Sequence, residues 1–242
     1  VRTVIANGWD DNVVHHICDE QDLLVALGGD GTIIRIARMA APHRVPVLGV
    51  NMGRVGFLCE VTPALLHERV DSVADGKFWL EQRTMLEVTC GPDGDLQHYL
   101  ALNEVTVARG SVPRAIRVRT FLDGDQFMLI TADGILAATA TGSTAYSLAA
   151  GGPVLYPESR DFMLTPVAPH LHIGRSVIVP GETTVTFRLE SDRPALMSVD
   201  GQDERPLRSG DEVVVRRSEH RALFARMGHR SYFYTALSDR LQ

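Results

Sequence analysis

Apolar positions in the first sixty residues fall in short continuous runs rather than in alternation. Residues 4–6 form one, residues 23–27 behind Asp22 a second, ended by Gly28 and Gly29, and residues 45–50 a third, closed by Asn51. Continuous runs of this length predict strands of a parallel sheet covered on both faces. Residues 32–41 change period. Ile33, Ile36, Ala37 and Ala40 fall on one helical face, and Pro42 ends the helix. Strand, helix, strand predicts a βαβ unit. Residues 63–75 predict a further helix, opened by Thr62 and Pro63.

From about residue 77 to residue 224 the pattern is different. Short β-prone runs at 85–90, 105–108, 116–121, 177–179, 183–189 and 212–215 are separated by Gly, Asp and Pro turns. That predicts a β-sandwich or barrel-like domain. The tail, 231–241, carries Tyr232, Phe233, Tyr234, Leu237 and Leu241, which suits a helix that docks back on the body. The expected fold class is α/β plus all-β. A Rossmann-like α/β domain covers residues 1–62, with the tail 226–242 docking on it, and a β-sandwich domain covers 63–225. The chain opens on Val1 rather than Met, and 21 residues precede Asp22, so a leading strand or helix is expected to be absent from it.

Composition narrows the function classes. The 242 residues carry a net charge of −6 and are 22% charged, which argues against disorder and against a general nucleic-acid binder. The one lysine, Lys77, is followed by Phe78, so there is no G-x-x-x-x-G-K-[ST] phosphate loop. Cys18, Cys59 and Cys90 are far apart and odd in number, as expected of reduced thiols in a cytoplasmic protein. No apolar stretch approaches 18 residues and no signal peptide opens the chain.

Five stretches carry candidate chemistry. Gly28-Gly29-Asp30-Gly31-Thr32 lies between a strand and a helix. Its glycines let the backbone approach a ligand, and the helix start favours phosphate. An acid among them would repel phosphate unless it had its own task. Arg35 is placed to reach the same phosphates. Asn51-Met-Gly-Arg-Val-Gly-Phe57 marks a loop at the carboxyl end of a strand. Asn103-Glu104 reads either as edge polarity or as an amide and a carboxylate for the two hydroxyls of a ribose. Asp133-Gly134 is followed by residues 139–153, small and hydroxylated with one aromatic, Tyr146. Such a segment is expected to wrap a polar ligand rather than pack a core, with Tyr146 offering a flat face to a base. Residues 199–202, Val-Asp-Gly-Gln, read as a hairpin turn or as a ligand contact through Gln202. His15, His16, His170 and His172 are unclustered and read as structural.

Taken together these stretches resemble the ATP-NAD kinase family. The Gly28–Thr32 pattern is shared with lipid kinases and, more distantly, phosphofructokinases. The combination with Asn51-x-Gly-x-x-Gly-Phe57, Asn103-Glu104, Asp133-Gly134, the Thr141-Gly-Ser-Thr-Ala-Tyr146 stretch, Gly151-Gly152-Pro153, residues 165–170 and Ser231-Tyr232 is far more specific. The resemblance runs from about residue 22 to the end. It implies conversion of NAD and ATP to NADP and ADP, with Asp30 taking the proton from the 2′-hydroxyl of the adenosine ribose. It places Asn103 and Glu104 on the other ribose. Asp133, Thr144, Ala145, Tyr146, Ser147, Leu148 and Ala149 would hold NAD. Gly31, Arg35, Arg114 and Gln202 would make further ligand contacts. It also implies a homodimer or homotetramer, with binding completed across a subunit boundary.

This chain departs from the family where Ala140 replaces a usual Pro, Ala149 a frequent Ser, and Ser176 a usual Pro. No acidic cluster suggests a resident metal site, so a divalent ion, Mg²⁺, is expected to arrive with the nucleotide. ATP, another triphosphate or polyphosphate all remain open as donors. Two rivals stand beside this reading: a lipid or sugar kinase sharing the Gly28–Thr32 loop, and a catalytically silent NAD-binding sensor.

Overall fold

The computed structural model describes residues 2–53, 56–92, 95–110, 114–170 and 174–241. In chain order the helices and strands are α1 (Asp11–Cys18), β1 (Leu24–Gly28), α2 (Asp30–Ala40), β2 (Val47–Asn51), α3 (Pro63–Ala74), β3 (Trp79–Cys90), β4 (Gln97–Ala101), β5 (Glu104–Arg109), β6 (Ile116–Leu122), β7 (Asp125–Ala132), β8 (Gly134–Ala138), α4 (Tyr146–Ala149), β9 (Phe162–Val167), β10 (Val177–Val179), β11 (Val185–Leu189), β12 (Ala195–Val199), β13 (Asp203–Leu207), β14 (Glu212–Arg226) and α5 (Tyr232–Leu241). They form two compact units. One contains the chain through Arg83 and again from His220 onward, and the other contains Thr84–Glu219.

In the first unit β1 and β2 run parallel, paired from Leu24–Val47 to Gly28–Asn51, and β2 meets β14 at Val47–Phe224. α2 makes the crossover, so the βαβ pattern read from the apolar runs is present. Its buried face is broader than predicted and takes in Ile34 and Met39 as well as Ile33, Ile36, Ala37 and Ala40. β2 is buried throughout. β1 is not: Val25 and Leu27 are 44% and 58% exposed. β1 ends the sheet, paired with β2 alone among the described residues, and its alternating burial leaves Val25 and Leu27 on a face that is not covered. α3 starts at Thr62, whose hydroxyl caps Leu65 N–H at 3.3 Å. It packs Leu65, Leu66 and Val73 against Leu48, Val50, Val61 and Ala225.

Two local readings change. Residues 4–6 form no strand. Ile5 is 95% exposed, and a short β-prone run is not held without a neighbouring strand to pair with. α1 was not predicted. Asp10 caps it by accepting from Val13 N–H at 3.3 Å, and Val14 and Cys18 bury its inner face. At the far end of the chain, Tyr232 of α5 donates its hydroxyl to Glu81 Oε1 at 2.9 Å.

The second unit is a two-sheet β structure. One sheet runs β10-β9-β8-β5-β12-β13, every neighbouring pair antiparallel. Antiparallel pairs β14–β11, β11–β6 and β6–β7, with β3–β4, build the other. Side chains from both sheets, among them Leu86, Val105, Ile116, Phe162, Phe187 and Val213, share one core. This is the alternating inward packing expected of a sandwich. Among the described residues no helix is long and apolar enough to cross a membrane.

Candidate active site

Asp30 opens α2 at the end of β1. Gly29 ahead of it lies in extended backbone and supplies no side-chain cap to the helix. The half-buried Asp30 carboxylate turns to the second glycine-containing loop. Phe57 N–H donates to its Oδ2 at 2.9 Å and Leu58 N–H to its Oδ1 at 3.3 Å. Two motifs 27 residues apart in sequence are thus joined by one side chain. Gly56 makes room for it, since a Cβ at that position would stand 1.7 Å from Asp30 Oδ1. Asn51 Oδ1 accepts Gly53 N–H at 3.0 Å and turns the chain out of β2; residues 54 and 55 lie outside the described residues. Cys59 Sγ lies 3.8 Å from Asp30 Oδ1. Burial, then the Asp30 charge, pushes the Cys59 thiol up, so it faces Asp30 as a weak donor and not as a second anion.

Gly31 follows as an exposed residue of α2. Arg35, one turn on, points to the N-terminal segment. Its Nε donates to Gly8 O at 3.3 Å and its Nη2 to Trp9 O at 3.4 Å, and the guanidinium sits 5.1 Å from the Trp9 ring centre.

The second unit gathers a different polar cluster. The Asp200 carboxylate accepts N–H bonds from Leu102 and Asn103 at 2.8 Å and from Glu104 at 3.0 Å. Asp200 and Gly201 both have positive φ, 51° and 64°, and Gln202 N–H closes on Val199 O at 2.9 Å. The hairpin turn is therefore present between β12 and β13, with Gln202 half-buried on it. Asp200 itself was not singled out from the sequence. The Asp-Gly signal predicted its backbone, but nothing local indicated that its carboxylate would reach residues about a hundred positions away.

Asn103 and Glu104 are buried. Glu104 Oε2 has no hydrogen-bond partner among the described residues. Burial, then the charge of Asp200, pushes its pKa up to about 8. A buried carboxyl with an unfilled oxygen is suited to meet a hydroxyl.

Residues 139–153 pack more than their composition predicts. Thr139 N–H bonds Asn103 O at 2.9 Å, and Thr139 Oγ1 donates to Leu102 O at 2.6 Å. Gly142 lies so close that a Cβ would stand 2.2 Å from Asn103 O. Ser143 Oγ donates to Ala140 O at 2.6 Å and accepts Leu155 N–H at 3.0 Å. The Ser147 hydroxyl is buried 3.1 Å from Thr165 Oγ1. The expectation that this segment packs no core is corrected: small hydroxylated residues bury readily when each oxygen finds a partner, main chain for Thr139 and Ser143 and the Thr165 hydroxyl for Ser147. The other side of the segment is open. Tyr146 is 44% exposed, Ala149 is exposed, and Thr144, Ala145 and Leu148 are half-buried.

Asp133 stands between β7 and β8, paired with Arg109 at 3.1 Å. Because Glu104 pairs with Ala138 and Ala108 with Gly134, Asp133 and Glu104 occupy opposite ends of the β5–β8 pair. Arg114 is exposed ahead of β6. His172 lies outside the described residues. Among the described residues no three His, Cys, Asp or Glu side chains are grouped to hold a metal ion.

The architecture is that of solved nicotinamide-dinucleotide kinases. A yeast NADH kinase complexed with NADH superposes with a TM-score of 0.84 at 30% identity, over 91% of this chain and 66% of that one. An NAD kinase from Archaeoglobus fulgidus in complex with ATP gives 0.76 at 31%, over 91% and 83%. Residues 3–78 match the ATP-NAD kinase N-terminal domain and residues 102–227 the ATP-NAD kinase C-terminal domain. NAD kinases of Chloroflexus aggregans and Heliobacterium modesticaldum are 40% and 42% identical, covering 91% and 88% of this chain and 80% and 76% of their own lengths. The chain belongs to the ATP-NAD kinase family.

Two outcomes follow from this geometry. Gly56→Ala drives the Asp30 carboxylate off the Phe57 and Leu58 amides and costs about 1–3 kcal/mol, read as a lower denaturant midpoint with unchanged slope. For Glu104, the folded value near 8 lies above the ordinary 4.5. The folded chain therefore keeps a proton that the unfolded chain has released. Its stabilisation is full below about pH 4.5 and is lost as pH rises through about 8. Thermal unfolding followed between about pH 5 and pH 8 should show stability falling by on the order of a few kcal/mol. Glu104→Gln should flatten that slope, and an equally steep slope in the variant would assign it to another group.

Proposed function

We propose that this chain phosphorylates NAD, passing the terminal phosphoryl of ATP to the 2′-hydroxyl of the adenosine ribose. The observation that carries this reading is the Asp30 carboxylate, oriented by the Phe57 and Leu58 amides at the uncapped start of α2. The relatives named as NAD kinases and the solved neighbours holding NADH and ATP support the two substrates.

In the step itself, Asp30 takes the proton as the 2′-oxygen bonds the terminal phosphorus. The bond from that phosphorus to the bridging oxygen breaks, and its electron pair leaves with ADP. Such a transfer needs in-line placement and neutralised charge more than covalent help. The amides and positive dipole end of α2 neutralise part of the phosphate charge. Mg²⁺ enters as part of the nucleotide substrate and neutralises the rest.

Asn103 and Glu104 hold the other ribose, and the unfilled Glu104 Oε2 supports that role. Thr144, Ala145, Leu148 and Ala149 line NAD with Tyr146 against a ring. Ser147, whose hydroxyl is engaged with Thr165, serves by fixing α4. Gly31, Arg35, Arg114 and Gln202 complete the ligand contacts. Asp133 stands five residues of β5 from Glu104, ~17 Å at strand rise, so one nucleoside cannot touch both within a single copy. The reading adds a homodimer or homotetramer in the cytoplasm, with NAD binding completed across a subunit boundary and Asp133 among the residues that hold NAD.

Incubation with NAD, Mg²⁺ and a panel of donors, watching for NADP, tests the activity. Asp30→Asn should fold and bind NAD yet lose about 10²–10⁴-fold in turnover; wild-type turnover in that variant would remove Asp30 from the mechanism. Tyr146→Ala should raise the KM for NAD about 5–100-fold, as expected for a lost stacking contact worth about 1–3 kcal/mol, with little change in kcat. An unchanged KM would end the stacking role.

A further inference from the structure

We infer that Arg226, on the last residue of β14, is a positioning residue for Asp30. The inference rests on the reading of Asp30 as the general base. Arg226 is 1% exposed. Its Nη1 donates to Leu58 O at 3.1 Å and to Glu60 Oε2 at 3.2 Å, and its Nε donates to Glu81 Oε2 at 2.8 Å. Leu58 is the residue whose N–H supports Asp30 Oδ1. The buried cation thus grips the carbonyl of a residue whose amide is presented to the carboxylate.

The grip is braced on both sides. Glu60 Oε1 accepts the N–H groups of Met227 and Gly228, each at 2.7 Å, so residues 58–60 are tied to residues 226–228 at several points. The guanidinium lies against the rings of Phe224 and Tyr232, at 5.3 and 4.7 Å from their centres. Burial by itself pushes the Glu81 carboxyl up, but the Arg83 and Arg226 guanidiniums outweigh it and hold Glu81 below its ordinary value. A buried Arg would be electrically satisfied by Glu60 and Glu81 alone. The additional bond to Leu58 O carries its position into the loop that holds Asp30.

Arginine's rigid fork can hold a carbonyl and two carboxylates at once, which a lysine ammonium on a flexible stem cannot. Arg226→Lys keeps the charge and loses the fork. Steady-state kinetics of the full chain, beside thermal unfolding, should show kcat down about 10–100-fold, the scale of a misplaced catalytic group. KM for NAD and for ATP should stay within about threefold, and the variant should remain folded at the assay temperature. Unchanged kcat, or a loss of kcat no larger than the unfolded fraction, would overturn the inference.

If Arg226→Lys does not fold, Glu60→Gln replaces it. The amide oxygen still accepts from Met227 and Gly228 while the anion holding Nη1 is gone. The same split is expected, with kcat down at least about threefold, and failure of both variants to fold would make the network purely structural and overturn positioning. Asp30→Asn, assayed in parallel, separates the two ideas. If it turns over normally, the base assignment fails and positioning with it. If it is dead while Arg226→Lys is normal, only positioning fails.

Discussion

A carboxylate held by two main-chain amides organises the first unit. Asp30 lies where the chain leaves β1 for α2, and its partners lie where the chain has left β2. Each strand of a parallel pair delivers a loop at its carboxyl end, and a side chain from one can cross to the other only if the second backbone leaves room. Gly56 leaves it. The pairing orients Asp30 and ties it to Leu58, whose carbonyl the buried Arg226 also holds, while Gly29 leaves the start of α2 without a side-chain cap.

The second unit uses the same kind of interaction for a different end. Asp200 gathers three consecutive amides at the start of β5, and Thr139 and Gly142 close on the same stretch from the other side. The main chain of residues 102–104 is held by these bonds. The buried Glu104 Oε2, by contrast, has no hydrogen-bond partner among the described residues. A site that fixes its supports by backbone bonds and leaves one carboxyl oxygen unfilled is preorganised for a hydroxyl without needing a charged partner.

Membership in the ATP-NAD kinase family removes one of the rivals weighed from the sequence, the lipid or sugar kinase that shares only the Gly28–Thr32 loop. The features that distinguish the family from that wider group lie in both units: the 51–57 loop beside Asp30 in the first, and the buried Asn103-Glu104 pair and the hydroxyl-rich 139–153 segment in the second. That segment has two sides with separate tasks. Its buried hydroxyls, on Thr139, Ser143 and Ser147, anchor it, and its open side carries Tyr146.

Periodicity carried the βαβ unit, the α3 start at Thr62 and the strand-rich body, because each depends on residues close together in sequence: an apolar run, a Pro at a helix start, an Asp-Gly turn. The glycine and hydroxyl motifs were legible for the same reason. The partly uncovered face of β1 and the unpaired residues 4–6 were not, since burial and pairing depend on neighbours that no local pattern names. What only the tertiary structure decided were the contacts at long range. Asp200 meets Leu102 across 98 positions and Arg226 meets Leu58 across 168. A carboxylate or guanidinium carries no mark of its partner until folding removes water and leaves one set of main-chain groups within reach.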